Sequence, residues 1–155
     1  FDLNQLLEGI IEVIHQTHPD FKIIKNGVVS EKIFGDEMRI EQVIVNFLTN
    51  AIKYSPGTHQ ATLNVELKNG QLYLGVKDNG IGMQPEQVKR VFEKFYRVEE
   101  TSHRFQGLGI GLYISAEIIK RHGGQINVKS VYGEGSEFYF TMPINQTNTE
   151  TNSKD

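Results

Sequence analysis

The segment N-F-L-T-N-A-I-K-Y, positions 46–54, carries four polar side chains at a spacing that could do chemistry. At about 100° per helical residue, Asn46, Asn50, Lys53 and Tyr54 fall within one arc of about 100°. The apolar residues between them occupy the neighbouring arc. An asparagine carbonyl oxygen is a hard ligand suited to Mg²⁺. A lysine ammonium partners phosphate as a point charge. A tyrosine ring can stack on a base. A solvated helix face would account for one such asparagine, and less readily for the foursome.

Two glycine-rich stretches offer more. D-N-G-I-G, Asp78 to Gly82, directly follows a strand-like run. Its two glycines permit close approach of backbone to a ligand, and Asp78 stands where a carboxylate can accept from an amine. A plain Asn-Gly turn is the competing reading of that stretch taken alone. G-L-G-I-G-L, Gly107 to Leu112, bares the backbone at a helix start, where N–H groups and the helix dipole favour phosphate. A hinge is the competing reading there. The stretch is not a dinucleotide-fold fingerprint: the third glycine of that pattern would fall at Leu112, and a polar loop rather than a strand precedes it. No P-loop pattern occurs in the chain.

These residues need elements to hold them. Leu3, Leu6, Leu7, Ile10, Ile11 and Ile14 repeat at helical spacing from Asp2 to about His15, with Asp2 as cap and Pro19 as stop. F-K-I-I-K-N and E-K-I-F-G-D read as two short strands across an Asn-Gly turn region. The helical period returns from about Glu37 to Tyr54. Leu63, Val65 and Leu67 alternate, as do Leu72, Leu74 and Val76, on either side of Asn69-Gly70, a favoured hairpin turn. A short helix is expected near Pro85 to Phe92, and a polar loop over Arg97 to Gln106. A helix then runs to about His122 with Leu112, Ile114, Ile118 and Ile119 as its stripe, and Gly123-Gly124 ends it. Q-I-N-V-K-S-V-Y-G-E-G-S-E-F-Y-F-T-M-P-I reads as a second hairpin. The expected fold is an α+β two-layer sandwich: a mixed, mostly antiparallel sheet with helices on one face. Residues 1–144 form one domain, and 145–155 a disordered polar tail.

Composition narrows the classes. The 155 residues suit a single domain, and a net charge of -3 argues against a broad nucleic-acid or acidic-membrane footprint. With no cysteine, disulfides, thiol catalysis and thiolate metal sites are excluded. No apolar run approaches the roughly 20 residues of a membrane span. The chain opens on Phe1 and not on Met, which reads as a segment of a longer protein.

Taken in order, N-F-L-T-N-A-I-K-Y-S, D-N-G-I-G, F-E-K-F-Y-R and G-L-G-I-G-L resemble the N box, first glycine box, F box and second glycine box of sensor histidine kinase catalytic domains. These belong to a superfamily shared with DNA gyrase, a class of heat-shock chaperones and the MutL repair proteins. The resemblance covers roughly Phe1 to Pro143, and G-E-G-S-E-F-Y-F-T-M-P looks like the family's closing strand pair.

The resemblance implies the family's ATP-binding sandwich, the Bergerat fold, with ATP and Mg²⁺ as cofactors. Asn50 resembles the asparagine that holds Mg²⁺ on the ATP phosphates. Asn46 stands where hydrolytic relatives carry a glutamate base; an amide cannot take a proton from water, but it can orient phosphate. Lys53 would contact phosphate and Tyr54 would pack near the base. Asp78 resembles the acceptor of the adenine amine, with Gly80, Ile81, Gly82 and Met83 shaping that pocket. Arg97 could reach the γ-phosphate from a lid over Arg97–Gln106. Gly107, Gly109 and Gly111 would wrap the phosphates, with Leu108, Ile110 and Leu112 in the same box. Phe92 and Phe95 read as core, or as a docking point for the phosphoacceptor helices.

One departure bears on activity. The family's phosphoacceptor is a histidine followed by an acidic residue on an upstream dimerising helix. His15, His18, His59, His103 and His122 have no such setting and read as ordinary surface or loop histidines. The chain therefore resembles the catalytic half alone, a monomeric fragment of a homodimeric parent. Its partners would be the dimerisation and histidine phosphotransfer domain of the same kinase and a downstream response regulator receiver domain. No nucleic acid and no membrane contact are implied. The domain would be cytoplasmic and its parent membrane-anchored. An ATP-sensing pseudokinase, a standalone ATPase and an anti-sigma serine kinase of the same superfamily are the competing functions.

Overall fold

A computed structural model of the chain describes residues 1–54, 57–94, 96 and 111–145. Helix α1 spans Leu3–Thr17 and is capped as its sequence suggests, the Asp2 carboxylate accepting from the Asn4 and Gln5 N–H groups. Strand β1, Lys22–Asn26, leads through a long connection to helix α2, Glu37–Tyr54. Strands β2, Gln60–Lys68, and β3, Gln71–Asp78, form a hairpin. Asn69 and Gly70 both have positive φ, 54° and 75°, as a twisted two-residue hairpin turn demands. A short helix α3, Pro85–Val88, then helix α4, Gly111–Arg121, precede the closing pair β4, Gln125–Val131, and β5, Gly135–Pro143.

The sheet order is β1-β2-β3-β5-β4. β1 pairs parallel with β2 and the other three pairings are antiparallel. Alternation along each strand sorts side chains into two faces. Leu63, Val65, Leu72, Leu74, Val76, Phe138, Phe140 and Met142 lie buried on the helix side. On the opposite face, Tyr73 stacks on Tyr139 at 5.1 Å between ring centroids, and Tyr73 donates to the Glu137 carboxylate at 2.8 Å. Burial beside that carboxylate pushes the Tyr73 phenol well above its usual range, with desolvation the larger cause. Phe47 joins the layers: its ring lies 6.0 Å from Phe138 and 6.2 Å from Phe140. Such an aromatic joint fixes how far α2 stands off the sheet, and so where its polar edge sits.

Two expectations need correction. Residues 31–36 form no strand. Their backbone is satisfied elsewhere: Ile33 and Phe1 exchange both hydrogen bonds, at 2.9 and 2.8 Å, and the Phe34 N–H donates to Ile144 at 2.9 Å. The Asn4 side chain braces the same segment through the Val29 carbonyl at 2.7 Å. Val29 and Ile33 are thereby buried as plugs under the connection rather than paired in the sheet. The helix after the first glycine box is also shorter than expected, four residues, although Pro85 occupies its first turn and the Gln87 side chain accepts from the Gln84 N–H at 2.7 Å.

Candidate functional site

Helix α2 supplies one wall. Ile40, Val43, Ile44, Phe47, Leu48 and Ala51 are buried, while Asn46, Asn50, Lys53 and Tyr54 are all half-buried. The polar four thus form an edge strip beside the core stripe, as the helical wheel requires. Asn46 donates from Nδ2 to the Ser115 hydroxyl of α4 at 3.3 Å. Ser115 is almost wholly buried. A Cβ built on Gly111 would stand 2.5 Å from Asn46 Oδ1. Gly111 therefore opens the space in which the Asn46 amide sits at the N-terminus of α4. A helix N-terminus carries the positive end of the helix dipole.

The opposite end of the site is built on β3. Asp78 closes that strand with 4% of its surface exposed. Its carboxylate accepts from the Gly80 N–H at 2.9 Å, and from the backbone N–H of Ser136. Desolvation outweighs both bonds and pushes the carboxyl up to about 6. A buried carboxylate that its own donors do not fully compensate is suited to accept from a ligand N–H. Gly82 has φ of 70°, and a Cβ there would meet the Val131 carbonyl at 2.2 Å, so this turn requires glycine.

One hydrogen bond brings the two motifs together. The Ile81 N–H donates to the Tyr54 carbonyl, the C-terminal end of α2, at 3.2 Å. The Ile81 carbonyl in turn accepts from Gly133 in the β4–β5 turn at 2.6 Å. Met83 is buried in the core, and Leu112 packs half-buried against it. Asn46, Asn50, Lys53, Tyr54, Asp78, Gly80, Ile81, Gly82, Met83, Gly111 and Leu112 thus line connected elements. Arg97, Gly107, Leu108, Gly109, Ile110 and Phe95 lie outside the described residues, as do the lid loop and residues 146–155 of the tail. Phe92 is half-buried and meets Phe138 edge-on at 6.3 Å, a core contact.

Sequence reasoning missed three residues here. Ser136 lies opposite Asp78 in the β3–β5 register, and Ser130 opposite Ser136 in the β4–β5 register. Their alternation with Val128 and Phe138 was the available signal, since it assigns both serines to the helix side. His122 is the third, and it is not an ordinary surface histidine. It is buried at the end of α4, Nε2 accepting from the Asp36 N–H at 3.0 Å and Nδ1–H donating to the Ile118 carbonyl at 2.8 Å. Asp36 caps α2 through Arg39, so His122 ties α4 to the start of the helix that carries the asparagine strip.

Among the described residues no group of three His, Cys, Asp or Glu side chains is placed to hold a metal ion. A magnesium ion taking one amide oxygen, with phosphate and water for the rest, needs no such cage, and Asn50 fits that donor set.

The family comparison agrees with this architecture. Residues 35–146 match the family described as histidine kinase-, DNA gyrase B-, and HSP90-like ATPase, and the chain belongs to it. Within that family its relatives are sensor kinases. It is 37% identical over 149 residues to the sensor protein RprX of Bacteroides fragilis, covering 92% of this chain and 29% of that protein. It is 38% identical over 114 residues to the sensor histidine kinase WalK of Bacillus subtilis, covering 72% of this chain and 19% of that one. The chain therefore spans less than a third of the length of these relatives and corresponds to their ATPase domain. Full-length ShkA in complex with AMPPNP superposes with a TM-score of 0.80 at 27% identity, over 92% of this chain and 30% of that one. The mycobacterial sensor histidine kinase MprB shares the fold with a TM-score of 0.82, at 24% identity over 92% of this chain and 96% of that one.

Proposed function

We propose that this chain is the ATP-binding catalytic domain of a two-component sensor histidine kinase, which transfers the γ-phosphate of ATP to a histidine on a separate dimerisation domain. The observation that carries the reading is Asp78, a buried carboxylate beside a glycine turn that is itself bonded to the end of the asparagine-bearing helix. Asp78 accepts from the adenine amine, and Gly80, Ile81, Gly82 and Met83 shape the floor beneath the base. Tyr54 packs near the base and Lys53 contacts phosphate. Asn46 orients phosphate without acting as a base. Gly107, Gly109 and Gly111, with Leu108, Ile110 and Leu112, wrap the triphosphate, and Arg97 reaches the γ-phosphate.

Asn50 would hold Mg²⁺, which when bound would supply neutralisation of charge on the phosphates. Phosphoryl transfer needs positioning and charge neutralisation more than covalent help, so a site with amides where a carboxylate base would serve hydrolysis suits transfer. The complex of ShkA with AMPPNP, an ATP-like ligand by its name, supports a nucleotide in the corresponding fold of that relative. The partners follow from the sensor-kinase relatives: the parent's dimerisation and phosphotransfer domain, then a receiver domain of a response regulator. The parent is a membrane-anchored homodimer with this domain on its cytoplasmic side. Among the described residues no helix is long and apolar enough to cross a membrane.

The test is to mix the chain with the dimerisation-helix fragment of its parent and γ-labelled ATP. Acid-labile, base-stable phosphohistidine on that fragment is expected. ATP binding without transfer would identify an ATP-sensing module instead, and rapid ATP turnover by the chain alone would identify an ATPase.

A further inference from the structure

Three residues form a polar row across the helix-side face of the sheet, at the end where Asp78 lies. Ser130 on β4 pairs with Ser136 on β5, which pairs with Asp78 on β3. The apolar alternation of the same strands runs up to this row and stops there, with Val128, Phe138 and Val76 the next inward residues.

The hydrogen bonds of Ser130 are specific. Its hydroxyl accepts from the Met83 N–H at 2.8 Å, donates to the Gly135 carbonyl at 3.1 Å, and lies 2.8 Å from the Ser136 hydroxyl. A serine hydroxyl has one proton and two lone pairs. With its proton on Gly135 and one lone pair on Met83, Ser130 keeps a lone pair to accept from Ser136, the polarity that satisfies all three contacts at once. The Ser136 proton is then held by Ser130 on β4, and the Ser136 oxygen keeps acceptor capacity at the register position opposite Asp78. Met83 ends the glycine loop that Asp78 grips at Gly80, so the same hydroxyl also fixes the far end of that loop.

We propose that Ser130 is a positioning residue for base selection: it anchors the Met83 backbone and sets the polarity of the Ser136 hydroxyl, so that the pocket edge presents acceptors only. An adenine amine, with two protons to give, matches that edge. A guanine carbonyl at the same position meets acceptor against acceptor. The inference rests on the proposed nucleotide site at Asp78. Without Ser130 the Ser136 hydroxyl is free to rotate and donate, which relaxes the discrimination.

The experiment is equilibrium titration of the chain with Mg-ATP and Mg-GTP for wild type, Ser130→Ala, Ser130→Cys and Ser130→Thr, with thermal melts alongside. Loss of one or two hydrogen bonds is expected to lower ATP affinity in Ser130→Ala by about 5–10-fold. GTP affinity should hold or rise, so the ATP-to-GTP ratio falls by more than the ATP loss alone. Ser130→Thr, which keeps the hydroxyl, is expected to restore the ratio. Ser130→Cys keeps the size with a poor hydrogen-bonding group and should follow Ser130→Ala. Equal losses for both nucleotides would mean a merely structural residue and overturn the assignment, as would an unchanged ratio or a Ser130→Cys chain that does not fold. Failure of the wild-type chain to bind ATP would instead overturn the site reading itself.

Discussion

Replacing Asp78 by asparagine should change how stability depends on pH, and the size follows from the structure. Burial raises this carboxyl from 3.8 to about 6. That displacement corresponds to roughly 3 kcal/mol of penalty on the charged form. Between about pH 4 and pH 6 the folded chain holds a proton on Asp78 that the unfolded chain has released. By linkage, the Asp78 contribution to stability therefore falls as pH rises through this window, and the penalty is fully in force above it. An asparagine cannot ionise, so Asp78→Asn removes the titrating part. It adds a pH-independent cost of about 1–3 kcal/mol, because its NH₂ turns a donor toward the Gly80 or Ser136 N–H. Urea unfolding at intervals from pH 4 to pH 8 gives the stability of each protein. Variant minus wild type is expected to climb by roughly 2.4 kcal/mol from pH 4 to pH 7, whatever its starting value, the rest of the change lying below pH 4. Saturating ATP, by giving the carboxylate a donor, should flatten the wild-type profile over the same range. Parallel profiles for the two proteins without nucleotide would refute the reasoning, since they would mean that Asp78 does not bear an uncompensated charge.

Other perturbations follow from the same geometry. Gly111→Ala places a methyl on the Asn46 amide, which can swing aside, so stability should change by no more than about 1 kcal/mol while ATP affinity, read by titration, falls several-fold. Asn50→Ala should abolish the gain in ATP affinity on adding Mg²⁺, with the melting temperature measured alongside; an unaltered Mg²⁺ response would remove Asn50 from the metal. His122→Ala strips the Asp36 N–H of its acceptor and leaves a cavity against Gly35, and should cost about 2–4 kcal/mol in urea unfolding.

Where side-chain period carries the information, the sequence was enough. The stripe of α2, the polar strip beside it, the Asn69-Gly70 hairpin and the Asp2 cap follow from local spacing, and the structure has them in those places. The segment 31–36 reads as a strand because Ile33 and Phe34 are good strand formers. Its actual partners are Phe1 and Ile144, far apart in sequence, and no local pattern reports them. The candidate site shows the same division. Asn46, Asn50 and Asp78 stand out by residue type within motifs. Ser130 and Ser136 do not, because their meaning lies in a register across three strands. His122 has its role only because Gly35 leaves room for its ring: a Cβ there would lie 2.9 Å from Cδ2.

The central claim is an adenine-selective ATP site closed by Asp78, and titration of Mg-ATP and Mg-GTP into wild-type and Asp78→Asn chains at pH 8 tests it most directly. Saturable binding of ATP well ahead of GTP is predicted for the wild type, with both affinity and selectivity lost in a variant that still unfolds cooperatively. Equal ATP affinity in the two proteins would contradict the account.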